Sequence, residues 1–230
     1  MRWNIPNILT VFRLLAALVL PLPFIIFASP FADIIVLSLF VGASITDFLD
    51  GYIARKFNMI SNFGRMLDPI ADKAMVVIAL LLIVNLSSSN LMGVWVWQDV
   101  LIMLATVLIL FREIFVSGLR EFLGADAGKL QVTKIAKWKT TVQMLAIIAL
   151  LLGHMLQFYT AAAMFGMDGE YARSVVSGEV VGTGNLYSLF KSFQYATYAG
   201  LGLLTLAALL TLTTGIDYFR KSLPYLRENN

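Results

Sequence analysis

The chain has 230 residues, 59% of them hydrophobic and 13% charged, with no cysteine and a formal net charge of +3; its mean hydropathy is +0.82. An ordinary soluble domain carries roughly 25% charged residues, so the composition excludes a soluble globular protein and points to an integral membrane protein. The lack of cysteine excludes disulfides and thiolate metal sites, which leaves carboxylates as the main ligands for a hard cation.

Taken in chain order, hydropathy predicts six spans of roughly 20 residues, the length that crosses a hydrocarbon core. They cover 8–27, 33–49, 70–86, 99–116, 141–158 and 187–215. Ahead of the first, residues 1–7 offer only Arg2 as a basic charge, and the apolar run that follows is long and lacks a small-x-small cleavage site. No cleavable signal is therefore expected, and the first span is retained. Ser29-Pro30, the polar run 87–90 and the Gly-rich stretch 166–184 break the spans at one membrane face, while the breaks at the other face are charged. Asp168, Glu170, Arg173 and Glu179, in the long connection 159–185, read as solvated loop charges or as a partner contact. With no fixed-period repeat and no low-complexity tract, a single membrane-embedded domain over 1–230 is expected.

Six spans put both termini at the same face. All of the 17 basic residues except Arg173 and Lys191 fall at or near it, so by the positive-inside rule the termini face the cytoplasm. Trp3, Trp95, Trp97 and Trp138 fall near span ends, as interfacial anchors do. The single histidine, His154, lies in an apolar run and reads as a residue accommodated by packing. The basic face suits anionic membrane lipids and phosphorylated substrates, and nothing in the pattern calls for nucleic acid.

The break between the second and third spans carries the densest chemistry. Asp47-x-x-Asp50-Gly51-x-x-Ala54-Arg55 is followed, after eight residues, by Gly64-x-x-x-Asp68-x-x-x-Asp72. A carboxylate at membrane depth costs roughly 2.5–3.5 kcal/mol on insertion scales, so four of them need a compensating partner. Asp47 and Asp50 are i, i+3 at the end of the second span, and Asp68 and Asp72 are i, i+4 at the start of the third. Each pair shares one helix face, and two antiparallel neighbours can join the faces into an oxygen cage of the kind that holds Mg²⁺ or Mn²⁺. Pro69 fits only in a first helical turn or at a kink, which places Asp68 near a helix start. Gly51, Ala54 and Gly64 allow either close approach of a ligand or close packing of helices. Arg55 beside a cation site makes sense if an anion such as a diphosphate bridges metal and guanidinium. Arg112 and Arg120 punctuate another apolar run; eight residues apart, they differ by about 80° around a helix and share a broad face.

The eight motif positions match, with every gap, the signature D-x2-D-G-x2-A-R-x8-G-x3-D-x3-D, and the chain is identified by it as resembling the CDP-alcohol phosphotransferases. The resemblance implies an all-α integral membrane fold of six transmembrane helices, usually dimeric, in a bacterial-type inner or plasma membrane. It implies two divalent metals, Mg²⁺ or Mn²⁺, held by Asp47, Asp50, Asp68 and Asp72, and a CDP-linked donor on the cytoplasmic side. Asn4 to Arg13, Leu67 to Lys73, Arg112 to Glu121 and Lys137 to Thr141 further resemble the branch that transfers a phosphatidyl group from CDP-diacylglycerol to sn-glycerol-3-phosphate.

By the same resemblance the acceptor hydroxyl attacks phosphorus directly and CMP leaves, with Asp72 as general base. Gly51, Ala54, Arg55 and Gly64 would hold the CDP donor, with Asn7 and Thr10 as polar neighbours or simple helix caps. Arg112, Arg120, Lys137 and Lys139 would bind the acceptor phosphate, Glu113 pairing with one of the arginines, while Lys129 and Lys134 read as surface residues. Other acceptors for the same donor (inositol phosphate, serine or phosphatidylglycerol) are the nearest rivals. A divalent-cation carrier is the rival from another class, disfavoured because the acidic residues crowd one face and no inverted halves with broken helices are evident.

Overall fold

The computed structural model describes residues 4–57, 61–87, 96–124, 134–179 and 185–226, and these form helices and turns with no strand among them. The helices are α1 (Ile5–Val19), α2 (Pro23–Ile26), α3 (Phe31–Lys56), α4 (Asn62–Ser87), α5 (Trp97–Leu123), α6 (Lys134–Met164), α7 (Gly169–Ser177) and α8 (Leu186–Leu226). Six long helices thus fall where six spans are expected. Five stretches, Ile5–Ile26, Asn62–Ser87, Trp97–Leu123, Trp138–Met164 and Leu186–Leu226, are long and apolar enough to cross a membrane.

Local chemistry explains where the helices start and stop. The Asn4 side chain accepts from the Asn7 N–H at 3.0 Å and caps α1. The expected first span is not one continuous helix. It breaks at 20–22, where Pro21 and Pro23 bring no N–H, and resumes as the single turn α2. Pro69 lies neither in a first turn nor near a helix start but well inside α4, where it leaves the Arg65 carbonyl without its helical N–H.

The connection 159–185 is also more structured than a Gly-rich loop. α6 continues to Met164, and α7 is capped by Asp168, whose carboxylate accepts from the Glu170 N–H at 2.8 Å and the Tyr171 N–H at 3.4 Å. Asp168 is therefore a helix cap rather than merely a solvated charge, whereas Glu170, Arg173 and Glu179 are exposed as expected. Gly178 ends α7 at φ 84°, a conformation that favours glycine. α8 runs past the expected end at 215 to Leu226; its 41 residues measure about 60 Å, twice a hydrocarbon core.

Small residues set the helix approaches. A Cβ on Gly200 of α8 would lie 2.7 Å from the Leu150 side chain of α6, and one on Gly153 of α6 would lie 2.8 Å from Thr197 Oγ1. These glycines let the two backbones approach as membrane helices do when no hydrophobic driving force is available. Ala16, Ala17, Phe40, Met75, Ala79, Leu80, Ile109, Ile147, Leu204 and Ala207 fill the common core. The outward faces expose Leu18, Ile25, Leu104, Phe111 and Leu209, an apolar surface suited to lipid.

Candidate functional site

Asn7, Thr10 and Arg13, spaced three apart on α1, all turn inward. This polar stripe meets the aspartates of α3 and α4. The Arg13 guanidinium, 1% exposed, pairs with Asp47 at 2.5 Å through Nη1 and with Asp50 through Nη2. A guanidinium with two carboxylates on one turn of a neighbouring helix meets the compensation that buried charge demands. Thr10 Oγ1 lies 2.6 Å from Asp68 Oδ1 and 3.0 Å from the Pro6 carbonyl, so its single proton serves one of them at a time. The Ser61 hydroxyl donates to Asn7 Oδ1 at 2.7 Å.

Gly64 belongs to this contact. A Cβ there would lie 2.9 Å from Asn7 Oδ1 and 3.3 Å from Ser61 Oγ, so close helix packing accounts for the glycine. Asp47 lies within electrostatic reach of both Asp68 and Asp72. Asp72 Oδ1 is buried with no hydrogen-bond partner among the described residues. Gly51, Ala54 and Arg55 continue α3 beyond Asp50, and Lys137 lies in the first turn of α6; their side chains are outside the described residues. Residues 125–133, which include Lys129, are outside them altogether.

Beside the acidic cluster stands a mainly basic one, centred on Glu113 of α5. Its carboxylate pairs with Lys139 of α6 and with Arg112 Nη1 at 3.1 Å. The Arg112 Nη2 donates to Thr214 Oγ1 of α8 at 3.3 Å, and Gly215 makes room for its chain, since a Cβ there would lie 2.9 Å from Arg112 Cγ. Lys73 of α4 donates to Ser117 Oγ, which in turn donates to the Glu113 carbonyl at 2.6 Å. A cavity of about 40 Å³ lies between the two clusters, lined by Asp72, Glu113, Lys139, Thr140 and Gln143 among others.

The structure therefore unites the four aspartates with Asn7, Thr10 and Gly64, and brings Arg112 and Lys139 together beside Asp72. It does not bring Arg120 to them: that guanidinium is exposed and lies over the Tyr218 ring, 5.4 Å from its centroid. Sequence reasoning gave Arg13 no role at the site, although its three-residue step from Thr10 inside an apolar span was a usable signal. It also missed Lys73, Ser117 and Gln143, the last an uncharged polar residue one turn beyond Lys139.

The donor set fits a hard divalent cation by its chemistry: carboxylate oxygens only, one of them unpartnered on Asp72. Among the described residues no three acidic or histidine side chains already converge on one point; Arg13 lies between Asp47 and Asp50.

Comparison with known proteins places the chain in a family. Residues 3–168 match the family model described as CDP-alcohol phosphatidyltransferase. The chain is 53% identical over 229 residues, 99% of both chains, to the CDP-diacylglycerol–glycerol-3-phosphate 3-phosphatidyltransferase of Cereibacter sphaeroides. It is 36% identical to the protein of the same name from Rickettsia bellii, over 96% of this chain and 97% of that one. With the Haemophilus influenzae protein of that name the identity is 41%, over 66% of this chain and 77% of the relative. On the family model and on these identities, the chain belongs to the CDP-alcohol phosphatidyltransferases.

Proposed function

We propose that this chain transfers the phosphatidyl group of CDP-diacylglycerol to sn-glycerol-3-phosphate, giving phosphatidylglycerol phosphate and CMP. The observation that carries the reading is the 53% identity, end to end, with a relative named for that reaction. The site supports it: an acidic cluster and a mainly basic one stand on either side of a carboxylate with an unpartnered oxygen.

In this mechanism the acceptor hydroxyl gives its proton to Asp72 while its oxygen forms a bond to the phosphorus that carries diacylglycerol. The bond from that phosphorus to the bridging oxygen breaks, and CMP leaves with the electron pair. No covalent enzyme intermediate is required. Mg²⁺ or Mn²⁺, two ions by family resemblance, would be held by Asp47, Asp50, Asp68 and Asp72, and would neutralise the diphosphate and the departing phosphate charge. Thr10 orients Asp68 through its hydroxyl, and Arg13 fixes Asp47 and Asp50. Asn7, Gly51, Ala54, Arg55 and Gly64 would flank the CDP moiety. Arg112, Lys137 and Lys139 would meet the acceptor phosphate, with Glu113 holding Arg112 and Lys139 in place; Arg120, over the Tyr218 ring, would stay outside this group.

In the same reading α3 is the sixth span, both termini and the aspartates face the cytoplasm, and the protein works as a homodimer among membrane lipids. The test is CMP release by the purified protein in detergent with CDP-diacylglycerol and Mg²⁺ or Mn²⁺, supplying sn-glycerol-3-phosphate, inositol phosphate or serine separately. Release with glycerol phosphate alone is expected; release only with another acceptor would overturn the assignment of the acceptor, and no release at all would overturn the reaction.

A further inference from the structure

Gln143 is 2% exposed and lies on α6 one turn beyond Lys139, so the two side chains share a face. Its Nε2 is buried with no hydrogen-bond partner among the described residues, a state that native proteins seldom leave unexplained. Asp72 Oδ1, on α4, is buried and unpartnered in the same way. The two side chains line one cavity of about 40 Å³, larger than the ~10–15 Å³ that a single water requires.

The charged groups around that cavity other than Asp72 are paired. Lys139 pairs with Glu113, Glu113 also with Arg112, and Lys73 donates to Ser117. Of the groups lining the cavity, Asp72 Oδ1 and Gln143 Nε2 are the ones buried without a partner among the described residues, and the space has room for a hydroxyl.

We propose that Gln143 is a further substrate-contacting residue, its amide donating to the acceptor hydroxyl whose proton passes to Asp72. This rests on the phosphatidyl transfer proposed above. A hydroxyl has one proton and two lone pairs. With the hydroxyl proton directed at Asp72 and one lone pair held by Gln143, the other lone pair is left for phosphorus. The O–P bond forms, the P–O bond to CMP breaks with its electron pair, and the proton passes to Asp72. A neutral amide suits the position. A lysine would pair with Asp72 and occupy the base, and a second carboxylate would repel it and offer no proton to the acceptor oxygen.

The test compares wild type, Gln143→Met, which keeps the length but lacks the donor, and Gln143→Glu, which keeps the shape and reverses the hydrogen bond. Steady-state kcat/KM for sn-glycerol-3-phosphate at saturating CDP-diacylglycerol is measured with two readouts that do not depend on turnover: calorimetric binding of CDP in Mg²⁺ and the thermal midpoint. Gln143→Met is expected to lose about tenfold in kcat/KM for the acceptor, mostly in kcat, and Gln143→Glu more. CDP affinity and the midpoint should hold in Gln143→Met. Unchanged kcat/KM in Gln143→Met, or a parallel loss of CDP affinity and thermal stability, would overturn the proposal. If wild type uses a different alcohol, the same comparison is made with that alcohol; if wild type transfers to none, the parent reading fails and this one with it.

Discussion

At the far end of α3 and α6, Asp33 Oδ1 meets His154 Nδ1 at 2.7 Å, whereas at the motif ends of the same helices the charges are many and unevenly matched. Asp33 and Asp50 stand 17 residues apart on α3, about 25 Å along its axis. The far-end contact joins one carboxylate to one imidazole across two helices, with the Phe24 ring edge-on to the imidazole at 5.9 Å. Among the described side chains, the motif end sets four aspartates against the guanidinium of Arg13, and beside them Glu113 faces Arg112, Lys139 and Lys73. One half therefore has an excess of negative charge and the other of positive. Such an imbalance costs energy in a folded chain with nothing bound, and it is reduced by a bound cation on the first side and a phosphate on the second. The far end is matched for packing, the motif end for ligands.

The comparison breaks most sharply at Asp72. Asp72→Asn removes the proton acceptor but keeps the shape, so CMP release with CDP-diacylglycerol and glycerol phosphate should fall by about 10²- to 10⁴-fold. Calorimetric binding of CDP should persist. Full turnover in this variant would remove Asp72 as the base.

Arg13 tests whether the negative side depends on the buried cation paired with Asp47 and Asp50. Breaking a buried ion pair from one side costs about 3–5 kcal/mol, less here because Asp47 is 35% exposed. Arg13→Gln should therefore lower the thermal midpoint, and the loss should be larger in EDTA than in Mg²⁺, because a divalent ion can take over the compensation. Equal losses in the two buffers would mean that the carboxylates do not gather a cation.

On the positive side, Lys139 and Arg120 separate what spacing alone had joined. Lys139→Met should raise KM for glycerol phosphate by about tenfold or more, as loss of a charge-assisted hydrogen bond does. Arg120→Ala, which loses only a contact over Tyr218, should change KM by less than about threefold. The reverse order would move the acceptor phosphate out toward the rim.

How much of this was legible in the chain depends on the kind of signal. The carboxylates were legible because acidic residues in an apolar sequence are expensive and their helical spacing sets a face. The helices were legible from hydropathy, but their ends were not: proline removes a hydrogen bond with little effect on a window average, so the break at Pro21 and Pro23 and the position of Pro69 well along α4 left no trace in it. Arg13 was misread for a related reason. The positive-inside pattern sorts charges by membrane face, and an inward-turned arginine near that face counts the same as a lipid-facing one. Arg112 and Arg120 share a face by angle, yet two helical turns separate them, so one reaches Glu113 and the other Tyr218.

The far end supplies the smallest expected effect and the control for all the others. Asp33→Asn keeps an oxygen that can accept from His154 while removing a buried charge, so it should shift stability by about 1 kcal/mol or less and leave KM for both substrates and kcat unchanged. The reason is distance as much as chemistry: Asp33 and His154 lie on the motif-bearing helices α3 and α6, but no step of the proposed reaction involves that end. If Asp33→Asn nevertheless lowered kcat while the thermal midpoint held, the two ends would be coupled through α3, and the carboxylate pair at its other end, Asp47 and Asp50, would be where that coupling arrives.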